Sequence, residues 1–385
     1  MMCGEKHPPL PANGSGGDSP RGYERIFAYG SLQFCGHIEE YLAERTRDLL
    51  MFIVQPRVGA HANLIRRYHE GALVEERKVR SSQNLALYYL FWFVNHLRAL
   101  LPFSKGAKTL VFAGHPLAFF GMGLLRRLRP LVYAYWVGDY FPSAHPLIRL
   151  YERVKKVYHG RVPYAFYLSD AINAVMNGSV VNTPQRKTVM WGLKPYPDAP
   201  VPPLEPFRLL FVGLIRPGQG LENLFSFLKD HDGYRLSLIG VCPSFYEAEL
   251  RSLLARDGLA ERVYFPNRFY AEQELLDVAR TCHVGIALYD TGADNFTHYA
   301  DPGKVKAYAE MHLPVLMTRI SDIVPFVERF RSGEVIDRID QVADALERIR
   351  SAYPQYREGV ASFNAHFGYR RYYGNAFNVF EECWS

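Results

Sequence analysis

Apolar residues in this chain fall into short runs that stop at glycine or at a polar cluster, and between those runs they recur at helical spacing. Residues 25–30 are one such run, ending at Gly30. The loop 31–35 and Gly36-His37 follow, then a helical pattern from Ile38, then a second run over 49–54. Strand, glycine loop, helix and strand in that order predict the first βαβ unit of a doubly wound sheet. Further strands are expected over 109–113, 131–136, 164–168 and 188–190. Helices are expected over 82–101, 117–128, 145–158 and 171–176, the last capped by Ser169-Asp170.

The rhythm then restarts. Strands are expected over 208–212, 235–239, 263–265, 284–288, 313–316 and 334–336, with helices between them over 220–228, 247–255, 273–280 and 341–351. Residues 193–206 hold six prolines in fourteen positions, a composition that stiffens a linker. The expected organisation is therefore a disordered segment over 1–22, a Rossmann-like domain over 23–192, the linker 193–206, and a second Rossmann-like domain over 207–365. An aromatic helical tail over 366–385 is expected to pack back on the first domain. Each predicted strand ends where a loop begins, so ligand groups gather at the carboxyl edges of the two sheets.

Composition narrows this α/β picture only a little. The chain has 385 residues, 48% hydrophobic and 22% charged, with a formal charge of +6. That mild basicity suits anionic small molecules, lipid phosphates or an anionic membrane surface, and it is too weak and dispersed to indicate nucleic acid. Five cysteines with no CxxC pair argue against a disulfide framework or a zinc site, and fit a reducing, cytoplasmic location. No signal-peptide pattern is visible, and the longest apolar runs, 85–93 and 117–125, fall short of the ~20 residues a spanning helix needs.

The most informative stretch is 299–316, YADPGKVKAYAEMHLPVL. Asp301 suits an N-cap and Pro302 the first helical position, which places Gly303 and Lys304 in the first turn. Unpaired amides, the positive end of the helix dipole and a lysine together make a seat for an anion, here the diphosphate of a nucleotide. An ordinary capped surface helix is the competing account. In the first half, Gly36 would let a phosphate or sugar approach the backbone, although a plain tight turn serves equally well, because Gly30 and Gly36 do not make a GxGxxG fingerprint.

Phe211-Val212-Gly213, Pro217 and Gly220, Leu238-Ile239-Gly240, Val263-Tyr264-Phe265, Ile286-Ala287-Leu288-Tyr289, Asp301-Pro302-Gly303-Lys304 and Leu313-Pro314-Val315 occur in register. In this the second half resembles the nucleotide-binding domain of GT-B glycosyltransferases, in particular the large group-1 (family four) enzymes and their relatives. The resemblance is good over 208–340 and looser over 25–192. It implies two Rossmann-like domains facing across a cleft and a nucleotide-sugar donor, with no cofactor. No metal is expected either, since no DxD pair of the kind that binds a metal–nucleotide is seen, in keeping with GT-B enzymes generally. It further implies donor contacts from Gly213, Arg216, Asn267, Tyr289, Asp301, Gly303 and Lys304, with Tyr289 stacking on the base. Gly36, His37 and His115 would lie on the acceptor side.

The departures shape the expected mechanism. Retaining members usually carry an arginine where this chain has Leu214, a lysine where it has Gln219 and a glutamate where it has Ala307. An inverting reaction gains weight, and it needs one general base. Asp139 is the candidate, since it follows a first-domain strand and is flanked by Gly138 and aromatic residues; a local capping role is the alternative. His115 also ends a strand, where a loop histidine satisfied by backbone is the alternative to a substrate contact. The resemblance implies transfer of a sugar to a glycan or lipid-linked acceptor, in surface polysaccharide or glycolipid synthesis. A homologue that has lost catalysis and acts as a scaffold is the second possibility. Aromatic and basic residues at Phe91-Trp92-Phe93, Phe119-Phe120, Arg126, Arg127 and Arg129 would suit peripheral contact with the inner face of the cell membrane.

Overall fold

The computed structural model describes residues 23–31, 36–55, 62–290, 292 and 296–383. The expected disordered segment 1–22, most of the loop 31–35 and part of the loop 290–300 lie outside them. The described residues form two compact units, Leu193–Gly368 and a second built from those up to Gly192 together with those from Tyr369.

The unit that comes first in the sequence is assembled from β1 (Tyr23–Ser31), α1 (Ile38–Arg45), β2 (Thr46–Val54), β3 (Ala62–His69), β4 (Ala72–Arg80), α2 (Leu85–Phe103), β5 (Thr109–Ala113), α3 (Met122–Leu128), β6 (Leu131–Val137), α4 (Pro146–His159), β7 (Tyr164–Tyr167), α5 (Asp170–Asn177) and β8 (Arg186–Thr188). Its sheet runs β4-β3-β2-β1-β5-β6-β7-β8. The pairs from β2 through β8 are parallel, while β3 and β4 add an antiparallel hairpin at one edge. Strands buried on both faces carry near-continuous apolar runs, and β5 and most of β6 are buried.

Three expectations are corrected in this unit. The β3–β4 hairpin was not foreseen: β4 is exposed along nearly its whole length, so its sequence carries no apolar face to reveal it. The helix expected over 117–128 is instead a 3-10 turn, Pro116–Phe119, followed by α3, with Gly121 at φ 75° making the break that a Cβ would strain. The strand expected over 188–190 ends at Thr188.

The second unit contains β9 (Phe207–Val212), α6 (Leu221–Asp230), β10 (Tyr234–Ile239), α7 (Ser244–Arg256), β11 (Val263–Tyr264), α8 (Glu272–Ala279), β12 (Val284–Ala287), α9 (Gly303–Glu310), β13 (Val315–Thr318), α10 (Val324–Phe330), β14 (Gly333–Ile336), α11 (Val342–Ser351) and α12 (Tyr353–Phe367). The sheet is parallel throughout, in the order β11-β10-β9-β12-β13-β14. Phe207, Leu209, Phe211, Leu236 and Leu238 point to one face and join α6, α7 and α11 in a core. The proline-rich stretch packs on this unit: Tyr196 donates its backbone N–H to Glu310 O at 3.0 Å, and Asp198 pairs with Arg357 at 2.5 Å. The strand expected over 313–316 is shifted to Val315–Thr318.

The tail belongs with the first sheet. Helix α13 (Tyr369–Phe377) sets Phe377 against Phe112, Trp136 and Phe166, with ring centroids 5.5, 6.0 and 5.0 Å apart.

Candidate functional site

In the Leu193–Gly368 unit the strand order reverses between β9 and β12, and such a reversal opens a crevice at the carboxyl ends of the strands. Here a side chain holds it open. β9 and β12 pair only at Leu209–Val284 and Leu210–Gly285. Beyond that the fully buried Tyr308 of α9 enters between them: its hydroxyl accepts from Val212 N and donates to Ile286 O, both at 3.0 Å. The ring lies on Gly285, where a Cβ would meet it at 2.2 Å. Sequence reasoning missed this role of Tyr308; the signal was Gly285 inside an otherwise apolar strand.

Glycines line the mouth of the crevice. Gly213 has φ 138° and Gly240 φ 149°, and a Cβ on Gly240 would meet Gly213 O at 1.8 Å. Gly220, at φ 71°, lies against Leu288 O. Lys304 crosses this cradle, its Cε 2.8 Å from where a Cβ on Gly213 would stand. Its ammonium donates to Gln219 Oε1 at 2.8 Å and sits 4.0 Å from the Phe211 ring centroid and 5.2 Å from that of Tyr289. Burial against these rings, with Arg216 nearby adding repulsion, pushes Lys304 down to about 7. Arg216 itself is exposed. Gln219, which the sequence comparison counted as a missing lysine, is the residue that positions Lys304.

Two expectations about the helix start are corrected. α9 begins at Gly303, with Pro302 in the cap position and no side-chain cap, so Asp301 is not the N-cap. The Asp301 carboxylate is buried and pairs with buried Lys306 at 3.7 Å, a lysine whose ammonium also lies 3.2 Å from the Phe367 ring centroid. Asp301 thus anchors the helix start from behind. The ion pair spans five residues, a spacing that helix-face patterns do not flag.

Asn267 adopts φ 46° and its Oδ1 accepts from Cys242 N at 2.7 Å, an interaction that fixes the loop after β11 to the loop after β10. Tyr289 is half-buried, its carbonyl accepting from Thr318 Oγ1 at 2.8 Å, and burial raises its hydroxyl well above the usual tyrosine range.

In the other unit the ends of β5 and β6 meet α4. Asp139, just after β6, is half-exposed. The ammonium of Lys155, only 1% exposed, donates to Asp139 Oδ1 at 2.9 Å, to Asp139 O, and to Glu152 Oε1 at 3.1 Å. Glu152 is buried, which raises its carboxyl against the opposing pull of Lys155, and among the described residues its Oε2 has no partner. His115 is also buried: its Nδ1 accepts from Leu117 N at 3.2 Å, and its ring lies 4.4 Å from Trp92 and 5.5 Å from Tyr151. Burial, with Lys155 adding to it, lowers His115 to about 3, so the imidazole is neutral at physiological pH. Lys155 and Glu152 were not foreseen; their helix positions show no local sign of the contact with Asp139.

Gly36 and His37 play packing roles. A Cβ on Gly36 would stand 2.6 Å from Trp191 Cβ, and Gly36 O accepts from the Tyr373 hydroxyl at 2.7 Å. His37 opens α1 at φ 59° and lies 5.7 Å from the Tyr369 ring. Among the described residues no three His, Cys, Asp or Glu side chains converge as metal ligands, and no helix is long and apolar enough to cross a membrane. Trp92 and Phe119, expected to face a bilayer, are 3% and 0% exposed and lie in the core, whereas Phe120 is 55% exposed.

No family model matches the chain, and no curated protein matches it in sequence. Solved structures do match. A sucrose-phosphate synthase from Thermosynechococcus elongatus is 14% identical with a TM-score of 0.63, covering 94% of this chain and 99% of that one. The lipopolysaccharide outer core galactosyltransferase WaaB in its apo form is 14% identical at 0.61, covering 92% and 99%. HepE from Anabaena, in complex with UDP and glucose, is 13% identical at 0.61, covering 94% and 99%. The fold is the two-domain GT-B fold of these glycosyltransferases.

Proposed function

We propose that this protein is a glycosyltransferase that moves a sugar from a nucleotide-sugar donor to a glycan or lipid-linked acceptor, as in surface polysaccharide or glycolipid synthesis. The observation that carries this is the glycine cradle of Gly213, Gly220 and Gly240, crossed by Lys304 at the crevice that Tyr308 holds open. Backbone without side chains lets a diphosphate approach, and the first-turn amides of Gly303 and Lys304 would offer it the positive end of α9. Lys304, Arg216 and those amides would meet the charge that develops on the leaving diphosphate. Tyr289 would flank the base, and Asn267 would shape the loop beneath it. The similar structures, one of them holding UDP and glucose, support the same assignment.

Asp139 is the proposed base, taking the acceptor proton while the diphosphate departs from the opposite face. His115, neutral and held by the turn that follows it, would contact acceptor or donor hydroxyls through its other nitrogen. Phe120, Leu124 and Leu128, exposed beside Arg126 and Arg127, would touch an anionic membrane surface at the cytoplasmic side. The second possibility, a scaffold without catalysis, draws on Leu214, which is exposed where retaining relatives carry arginine.

The first experiment is a binding and turnover screen of UDP, GDP, CDP and ADP sugars, with release of nucleoside diphosphate as readout. Saturable binding of one donor, lost in Lys304→Met, supports the donor site; absence of binding for every donor removes it. Donor binding without diphosphate release over a broad acceptor set favours the scaffold. Wild-type release in Asp139→Asn eliminates Asp139 as base.

A further inference from the structure

The Leu193–Gly368 unit carries a second basic feature, toward the amino-terminal ends of its strands and away from the glycine cradle. An open groove of about 870 Å³ lies between the sheet, α7 and α8, with Arg208, Arg235, Arg251 and Arg262 around it. Two carboxylates, Glu261 and Asp277, also line it, and Asp277 is engaged by Arg280 at 3.2 Å.

The register makes this arrangement unusual. Arg208 of β9 and Arg235 of β10 are directly opposed, so both side chains leave the same face of the sheet. Like charges in that position repel and cost stability. Arg251 and Arg262 are offset by ion pairs with Glu247 at 2.8 Å and Asp232 at 3.1 Å, whereas among the described residues no carboxylate pairs with Arg208 or Arg235. Among the described residues Arg235 donates only to the backbone carbonyls of Asp232 and Tyr234, at 2.8 and 2.9 Å. Among the described residues the Arg208 guanidinium has no hydrogen bond and no ion pair, although the residue is half-buried. Arg251 is stacked on Phe265 at 4.7 Å and its fork is taken by Glu247 at 2.8 and 2.9 Å, so it forms the groove wall and leaves Arg208 and Arg235 as the anion-facing pair. Ser237 adds a hydroxyl on the same face as Arg235, two residues along β10.

We propose that this groove is a second anion site, which binds a phosphate group through Arg208 and Arg235 and is separate from the donor crevice. Planar guanidinium forks suit phosphate oxygens, and a bound dianion converts a destabilising cross-strand pair into two charge-assisted contacts. The volume exceeds what one phosphate fills, and exposed Tyr264 offers an adjoining ring face, so the groove has room for a phosphosugar as well as for inorganic anions.

The test is isothermal titration at low salt of inorganic pyrophosphate and of glucose 6-phosphate into the full chain, into Arg208→Gln/Arg235→Gln, and into Lys304→Met. Saturable binding that weakens about tenfold or more in the double variant, and persists in Lys304→Met, is the expected result. Preference for glucose 6-phosphate identifies a phosphosugar ligand; preference for pyrophosphate identifies the bare anion. Thermal melting without ligand keeps the result interpretable: the double variant is expected to melt no lower than the wild type, since the repulsion is removed. Should that variant unfold, Arg208→Met alone serves in its place. Equal binding in wild type and double variant, or no saturable binding to the wild type, overturns the proposal. Donor binding at the crevice does not involve these arginines, so failure there and failure here are separately visible.

Discussion

At the scale of single residues, the chemistry of the crevice turns on one lysine whose charge is not secure. Lys304 is pushed down to about 7 by burial against Phe211 and Tyr289, helped by Arg216. Below that pH the ammonium is in place for an anion; above it, binding must also take up a proton. Affinity for a nucleotide-sugar, whose phosphodiester charge is constant in this range, is therefore expected to fall as pH rises above 7, by up to about tenfold per unit. Titrations at pH 6 and pH 8.5 measure this, and Lys304→Met should be weak at both and flat between them. Tyr308 is a second single-residue lever. Tyr308→Phe leaves Val212 N and Ile286 O short of a buried partner, at a cost of about 1–3 kcal/mol measured by denaturant unfolding. The sequence displayed Lys304 because it sits in a helix-start motif. It did not display Gln219, Tyr308 or the Lys155–Asp139 contact, since each depends on a partner far along the chain.

At the scale of elements, periodicity revealed what is buried and little else. Strands such as β12 and β13 are buried along their whole length, so apolar runs marked them to within two residues. The β3–β4 hairpin was not, because Ala72–Arg80 is solvated on both faces and carries charges where a half-buried strand alternates; only the Glu70-Gly71 pair hinted at a turn. The start of α9 was misplaced for a different reason: Asp301 has the chemistry of a cap but is drawn inward by Lys306. Gly213→Ala tests the turn on which the proposed donor site rests. The added methyl would meet Lys304 Cε at 2.8 Å on a backbone at φ 138°, so Lys304 must shift or the turn must distort. Donor affinity is expected to drop toward that of Lys304→Met, while circular dichroism shows the sheet intact.

At the scale of the whole molecule, the two-domain fold was legible from the repeated strand–helix rhythm, but the course of the chain through it has a consequence that rhythm alone does not give. The helix Tyr369–Phe377 belongs to the same compact unit as the sheet that the first half of the chain forms. Phe377 is 1% exposed and touches Phe112, Trp136 and Phe166, so three strands are covered by a ring that follows the whole of the other unit in sequence. The Tyr373 hydroxyl adds specificity by donating to Gly36 O and accepting from Gly192 N, both at 2.7 Å. Phe377→Ala removes a large buried ring and leaves a cavity, a change that costs about 3–5 kcal/mol in well-packed cores. Hydrogen exchange locates the loss: protection is expected to fall in β1, β5, β6 and β7 and to hold in β9, β10 and β13, whose core is separate. Equal loss in both sets would mean that the two sheets open as one cooperative unit, and the tail would then act on the whole chain and not on the sheet it covers.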